Sequence, residues 1–171
     1  MAIQAMIGQA QALDGREAAA QATHHALEQL GREPIALGIV IASHQYPFQQ
    51  IVNGVATLVG DTPLFGFSTS AELALNGYSQ RSVIVVLLSG ESLQARADWW
   101  GGFSEDSRSA AQKMAQALQL YQSSGILLLA ADGLNGDARQ LCASLPQGDY
   151  LLAGCLAGGD MHRHRTYQIG G

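Results

Sequence analysis

The sequence contains few charged residues and almost no lysine. Asp, Glu, Lys and Arg together make up 13% of its 171 residues, about half of the ~25% that is usual in soluble proteins. Lys113 is the one lysine, and the formal net charge is −5. A protein that binds nucleic acid needs a basic surface to displace counterions from the phosphates, so this composition argues against that class. With so little charge, we also expect part of the surface to be covered by something else.

Long apolar runs, an export signal and a cysteine framework are missing as well. No run approaches the ~20 apolar residues of a membrane-spanning helix, and the first residues lack a basic stretch followed by an apolar block. The two cysteines, Cys142 and Cys155, have no C-x-x-C spacing. We therefore expect a cytoplasmic protein with reduced thiols and no membrane segment.

Helical and apolar segments alternate along the chain. Asp14 begins a helix as its N-cap, with Glu17 at the position of a capping box. The unbroken apolar run from Pro34 to Ala42 predicts a strand that is covered on both faces. The other predicted elements are a helix at 48–59, a strand at 64–68, a loop at 70–80, strands at 82–89 and 93–99 that form a hairpin, a helix from Ser104, a strand at 125–131, a helix at 135–145, and strands at 150–155 and 165–169. This alternation predicts an α/β fold with helices packed on a mixed β-sheet.

The chain also contains an internal repeat. Residues 63–72 align with residues 151–160, which places Gly66 on Gly154, 88 residues further on, and Glu72 on Asp160. The same offset aligns the apolar runs 39–42 and 127–130. We therefore predict a single domain over residues 1–171, built of two units at about 14–100 and 104–171. Each unit has the order helix, strand, helix, strand, strand.

The second unit is shorter than the first. It has no counterpart of residues 86–99, so the sequence predicts an unpaired strand edge near Arg165–Ile169. Unpaired edges tend to associate with other strands. A homodimer, or the next segment of a longer protein, would complete this edge.

Small and polar residues follow the predicted strands of both units. Ligands of open α/β sheets bind beyond the carboxyl ends of the strands, and two units packed about an axis would bring these loops together. Two carboxylates there would favour a ligand that carries an amine. The candidate ligand-binding residues are Ser43, His44, Gly66, Ser68, Thr69, Ser70, Glu72, Asp132, Gly154, Gly158 and Asp160.

These segments also permit other interpretations. Hydroxyls at strand ends often bond to backbone groups, and Asp132 with Asn135 can form an ordinary turn and helix cap. The segment from Gly66 to Ser70 is similar to the G-x-S-x-G motif of hydrolases but ends in Ser. A hydrolase using Ser68 with His44 or His164 is the enzymatic alternative, and a structural or interaction module is a third. Two histidines in His162-Arg163-His164 are too few for a zinc site, so we predict no metal and no cofactor.

The order of these motifs resembles the N-terminal half of the FIST domain. The matching stretches are residues 15–19, 39–43, 63–72, 82–88, 152–160 and 165–167. The resemblance implies a sensory module of signal-transduction proteins that binds a small ligand, with amino acids among the ligands proposed, and that catalyses no reaction. It implies as partners a downstream signalling protein or a FIST C-terminal domain, and none of the latter follows Gly171. The family has no agreed set of binding residues, so the candidates above rest on the repeat.

Overall fold

The computed structural model of the chain describes residues 3–31, 33–74, 77–119, 125–145 and 148–171. Helices and strands alternate along most of this length, as the sequence predicts for an α/β fold. The helices are α1 (Gly15–Leu27), α2 (Phe48–Val59), α3 (Ser107–Gln119) and α4 (Ala138–Ser144). The strands are β1 (Gln4–Ala10), β2 (Ile35–Ser43), β3 (Leu64–Thr69), β4 (Glu72–Ala74), β5 (Gly77–Ser79), β6 (Val83–Ser89), β7 (Gly125–Asp132), β8 (Tyr150–Ala157) and β9 (Gln168–Gly170). Within the described ranges, no helix has the length and apolar character that a membrane crossing requires.

Five strands form the main sheet in the order β1-β6-β2-β3-β9. The pair β2–β3 is parallel, and the other neighbours are antiparallel. Helices α1 and α2 pack on this sheet and share one core with it. The sheet face of α1 consists mainly of alanines, and this lets β1 approach closely: a Cβ on Gly8 would lie 1.9 Å from the Ala22 carbonyl oxygen.

A second, smaller layer follows in the chain. β7 and β8 form a parallel pair, and α3 and α4 pack against it through a core of Ala111, Met114, Ala131 and Leu141. Trp100 and Phe103, from the segment before α3, pack against the same core. This layer leaves large apolar side chains in solvent, because Ile126 and Leu151 keep 69% and 72% of their surface exposed.

Two predictions for residues 70–99 were wrong. Residues 70–80 contain the antiparallel pair β4–β5 rather than a loop, although residues 75–76 lie outside the described part of the chain. Residues 93–99 are not a strand, and β6 pairs instead with β1. The buried positions of β1 are Met6, Gly8 and Ala10, and these small or flexible residues give little strand signal.

Three elements in the second half begin at residues other than those predicted. Helix α3 begins at Ser107, because the Asp106 carboxylate, not Ser104, accepts a first-turn hydrogen bond from Ser109 N at 3.0 Å. Helix α4 begins at Ala138, with Asp137 rather than Asn135 before it as the N-cap. The predicted strand 165–169 is the shorter strand β9, because Arg165 forms an isolated bridge with Asp160.

The parallel pairs β2–β3 and β7–β8 share several features. Gly66 lies opposite Val40, and Gly154 lies opposite Leu129, so the two first strands correspond with a shift of one residue from the predicted offset. In both pairs, the residue after the first strand donates its N–H to the end of the second: His44 N to Thr69 O at 3.0 Å, and Gly133 N to Ala157 O at 3.2 Å. These shared features support the internal repeat, and the superposition of the two units stays a prediction.

Candidate functional site

The two polar loops that the repeat aligns lie in direct contact. Ser68 Oγ donates to the Gly158 carbonyl oxygen at 2.7 Å, and Gly158 N donates back to Ser68 O at 2.9 Å. Ser70 Oγ reaches Gly159 O at 3.3 Å. The expected approach of the loops is therefore present, but they are hydrogen-bonded to one another and do not line an open cleft.

Two glycines lie close to neighbouring backbone in this region. A Cβ on Gly158 would lie 3.0 Å from Ser70 N, and one on Gly159 would lie 1.9 Å from Arg165 O. A larger residue at 158 would therefore press on the facing loop at Ser70, and one at 159 would clash with Arg165 within its own turn.

Glu72 is a buried carboxylate with three hydrogen-bond donors. It keeps 2% of its surface exposed. Its Oε1 accepts from Thr69 Oγ1 at 2.5 Å, and its Oε2 accepts from both the N–H and the hydroxyl of Ser82 at 3.0 Å. No salt bridge among the described residues includes Glu72. The three donors stabilise the buried charge and attach β4 to the beginning of β6.

Tyr167 connects the second unit to this cluster. Its backbone N–H donates to Ser68 Oγ at 2.9 Å, and its hydroxyl donates to the Ser43 carbonyl oxygen at 3.1 Å. Burial, and to a smaller extent the nearby charge of Glu72, raises the pKa of Tyr167 well above its usual value. The phenol therefore stays neutral and remains a hydrogen-bond donor over the physiological pH range.

Ser43 contributes a buried hydroxyl, whereas His44 and Gly66 contribute through the backbone and through packing. Ser43 is fully buried, and its Oγ donates to the Gln80 carbonyl oxygen at 3.0 Å. The side chain of His44 is half-buried, and its backbone N–H is bonded to Thr69. Gly66 lets β3 approach β2, because a Cβ there would lie 2.3 Å from the Val40 carbonyl oxygen.

Asp132 organises the turn after β7. Its Oδ1 accepts from Leu134 N at 2.9 Å and from Asn135 N at 3.2 Å, and its Oδ2 accepts from Asn135 Nδ2 at 2.9 Å. Burial alone would raise the pKa of Asp132, but these bonds and one from Thr166 outweigh it and lower the pKa below its usual value. Asn135 also donates to the His164 carbonyl oxygen at 3.0 Å, so it holds two turns together instead of capping a helix.

Asp160 has a similar role in the next turn. Its Oδ1 accepts from His162 N at 2.9 Å and from Arg163 N at 3.1 Å, and its Oδ2 lies 3.6 Å from Arg163 Nε. The hydrogen bond from Arg163 N is the main cause of its lowered pKa. Asp160 therefore stabilises an exposed turn, whereas its aligned partner Glu72 is buried.

The structure thus places the candidates in two groups. The first is a hydroxyl cluster at the carboxyl ends of β2 and β3: Ser43, Ser68, Thr69, Ser70, Glu72 and Gly158, with Ser82 and Tyr167 added. Asp132 and Asp160 belong to the turns around residues 132–135 and 160–166, and Gly154 lies on the exposed strand β8. Direct contact of any of these residues with a ligand stays a prediction.

A wide, shallow depression of ≈ 690 Å³ lies beside the hydroxyl cluster. Both Ser43 Oγ and Gln45 Nε2 donate to the Gln80 carbonyl oxygen at 3.0 Å, so Gln80 separates the cluster from the depression. Sequence reasoning missed this surface, because three of its lining residues follow the end of β1 and the other four come from β5 and the segment before β6. The lining residues are Gln11, Ala12, Leu13, Tyr78, Ser79, Gln80 and Arg81.

Ser68 lacks the contacts of a catalytic nucleophile. Its side chain is fully buried, and its Oγ donates to Gly158 O and accepts from Tyr167 N. A nucleophilic serine needs access to substrate and a base that accepts its proton. Within the described ranges, no three His, Cys, Asp or Glu side chains are grouped so that they could hold a metal ion.

Comparison with known proteins identifies the family. The model of the FIST N domain matches residues 36–171, which is most of the chain and includes both candidate groups. Neither the curated proteins nor the solved structures contain a match to the chain. FIST domains are sensory domains of signalling proteins. On the strength of the family match, this chain belongs to the FIST N domain family of sensory domains.

Proposed function

We propose that the chain is a cytoplasmic ligand-sensing domain that binds a small polar ligand, such as an amino acid, without catalysing a reaction. The observation that carries this proposal is the ≈ 690 Å³ depression at the carboxyl end of β2, beside the hydroxyl cluster. Ligands of α/β sheets bind at this end of the strands. In this proposal, the buried hydroxyls form the framework behind the ligand, and residues 78–81 contact it.

The hydrogen bonds around Gln80 supply a route from the ligand to the rest of the protein. Gln80 O accepts from Ser43, and the Ser43 carbonyl oxygen accepts from Tyr167, which immediately precedes β9. A ligand that displaces residues 79–81 would change the first of these bonds and shift the position of Tyr167. The output would then pass to a downstream signalling protein or to a FIST C-terminal domain.

The direct test is a thermal-shift screen of the purified chain against amino acids, small carboxylates, amines and sugars. A ligand at 100 times its Kd stabilises the folded state by ~2.7 kcal/mol, which such a screen detects. Gln80→Trp, which places an indole in the depression, should abolish the shift. Gln49→Trp, on the exposed surface of α2, is the matched control and should keep it.

Two results would contradict the proposal. One is a screen in which no compound class raises the melting temperature. The other is a ligand that binds Gln80→Trp as tightly as the unaltered chain.

We also propose that a second copy covers the free edge of β8. This strand has no charged residue over Tyr150–Ala157, and among the described residues it pairs only with β7. Two copies of an uncharged strand can pair about a twofold axis without bringing like charges together. Light scattering should report a dimer, and Leu152→Lys should convert it to a monomer. A monomeric unaltered chain at micromolar concentration would contradict the idea.

A further inference from the structure

Arg81 is held in place by a carbonyl oxygen and an aromatic ring rather than by a carboxylate of the described residues. Its Nη2 donates to the Leu13 carbonyl oxygen at 2.8 Å, and its guanidinium carbon lies 5.1 Å from the centre of the Tyr46 ring. The salt bridges among the described residues do not include Arg81. In contrast, Arg96 and Arg139 are each paired with an aspartate two residues away.

The supports of Arg81 are themselves fixed. Tyr46 keeps only 2% of its surface exposed, and its hydroxyl donates to the Ala12 carbonyl oxygen at 2.8 Å. An arginine stacked on a buried aromatic ring loses little further side-chain freedom when it binds an anion. The hydrogen bond to Leu13 uses one N–H group, and the guanidinium retains further donors for a ligand.

The surroundings of Arg81 match a small organic anion. Gln11 Nε2 donates to Ser79 Oγ, and Gln80 Nε2 donates to the Tyr78 hydroxyl at 2.8 Å, so polar side chains line the depression beside Arg81. Tyr78 and Leu13 flank it with 66% and 90% of their surface exposed, and they offer an apolar contact for the body of a ligand.

The net charge of the chain favours one charge state of the anion over another. A single guanidinium in a protein of net charge −5, with Asp14 next to Leu13, favours a singly charged anion over a doubly charged phosphate. A carboxylate is singly charged, and its two oxygens match the planar fork of arginine.

We propose that Arg81 binds the carboxylate of a small organic acid in this depression, with Tyr78 and Leu13 against its apolar part. This inference rests on the proposed sensory function and names the chemical group that the site recognises. The carboxylate can belong to a free small acid or to the C-terminus of a peptide, and we commit to the free acid.

The test is calorimetric titration of the full chain with L-leucine, L-phenylalanine and phenylacetate. Each acid is paired with its amide, in which an uncharged group replaces the carboxylate, and phenylalanine is also tested as the last residue of a tripeptide. The acids should bind at least ~10-fold more tightly than their amides, the difference expected for hydrogen bonds to a charged group. Tight binding of the tripeptide alone would overturn the free-acid assignment.

Substitutions then assign the carboxylate contact to Arg81. Arg81→Gln should weaken binding of the acids ~10- to 100-fold and leave their amides unaffected. Arg81→Lys should retain part of the affinity, since it keeps the charge but not the fork. Arg139→Gln is the control, because this exposed arginine on α4 does not line the depression.

The possible failures are distinguishable. If the thermal-shift screen finds ligands and all of them are amines or sugars, the carboxylate assignment is wrong and the sensory function stands. If the acids bind Arg81→Gln as tightly as the unaltered chain, while circular dichroism shows that the variant is folded, Arg81 is not the contact. If no compound of any class binds, the proposed function fails, and the carboxylate site fails with it.

Discussion

The parallel pairs β2–β3 and β7–β8 have similar sequences and very different surroundings. β2 lies between two other strands of the main sheet, and Val40 in its centre is completely buried. β8 has one strand neighbour in the described chain, and Leu151 and Leu152 keep 72% and 48% of their surface exposed. An apolar strand therefore does not determine its own burial, because the strands and helices around it decide how much surface leaves water.

The same contrast applies to the ends of the strands. The first pair ends in buried hydroxyls that the β4–β5 hairpin and Tyr167 enclose, with Glu72 among them. The second pair ends at Asp132, in a turn that stays partly open to solvent. The depression of ≈ 690 Å³ lies beside the first arrangement.

The largest loss of stability is expected when the two glycines that the repeat aligns are replaced by alanine. Gly66→Ala should lower the free energy of unfolding by about 3 kcal/mol or more, because the new Cβ would meet the Val40 carbonyl oxygen at 2.3 Å inside the main sheet. Gly154→Ala meets Leu129 O at the same distance, but β8 is an edge strand that can move away, so its loss should be clearly smaller. Urea denaturation of both variants measures the difference. Equal losses would mean that the two pairs are equally constrained.

The second-largest effect is expected from the two carboxylates that the repeat aligns, Glu72 and Asp160, whose removal should cost different amounts of stability. Glu72→Ala removes the acceptor of two buried donors of Ser82 and of the Thr69 hydroxyl, and it should cost about 2–3 kcal/mol of stability. Asp160→Ala disrupts an exposed turn and should cost much less. Glu72→Gln keeps one acceptor oxygen, so its loss of stability should lie between those of Glu72→Ala and Asp160→Ala. If it weakens binding of an amine ligand without a matching loss of stability, Glu72 is a ligand contact as well as a structural group.

The smallest effect is a pH dependence at Asp132. Its pKa is lowered in the folded protein, so its ionised form stabilises the fold above the unfolded pKa, and that contribution is lost as the pH falls through the folded value. Asp132→Asn removes the charge but keeps one oxygen that can accept the turn's hydrogen bonds, so it should cost less than about 1 kcal/mol at pH 7 at this partly exposed site. The difference between variant and unaltered chain should shrink as the pH falls from 7 to below the unfolded pKa, which is near 4. Thermal melts of both proteins across this pH range test the prediction. A stability difference that does not change with pH would mean that the charge of Asp132 does not stabilise the fold.

Local patterns in the sequence predicted much of the framework. Asp14 is the N-cap of α1, and helix α2 occupies residues 48–59 as predicted, because capping residues and helical periodicity act over one or two turns. The contact between the loops at Ser68 and Gly158 was also predicted, since the internal repeat carries long-range information within one chain.

Other features depend on partners that are distant in sequence. The strand β1 was missed because its pairing with the edge of β6 is a long-range contact. Small buried residues such as Gly8 give little strand signal in the sequence, and their fit against α1 is visible only in the folded protein. The depression could not be predicted either, because Gln11 and Arg81 come together only when β1 and β6 pair.

The sequence by itself thus determined the helices, most of the strands, the family and the polar ends of the strands, which are properties of neighbouring residues and of repeated motifs. The tertiary structure alone decided which polar groups are buried and which face solvent. It turned Glu72 into a buried acceptor, Asp160 into a turn residue and Arg81 into a cation held by Leu13 and the Tyr46 ring. The physical reason is that the cost of burying a polar group depends on the donors, acceptors and charges that surround it, and folding brings these from distant parts of the chain.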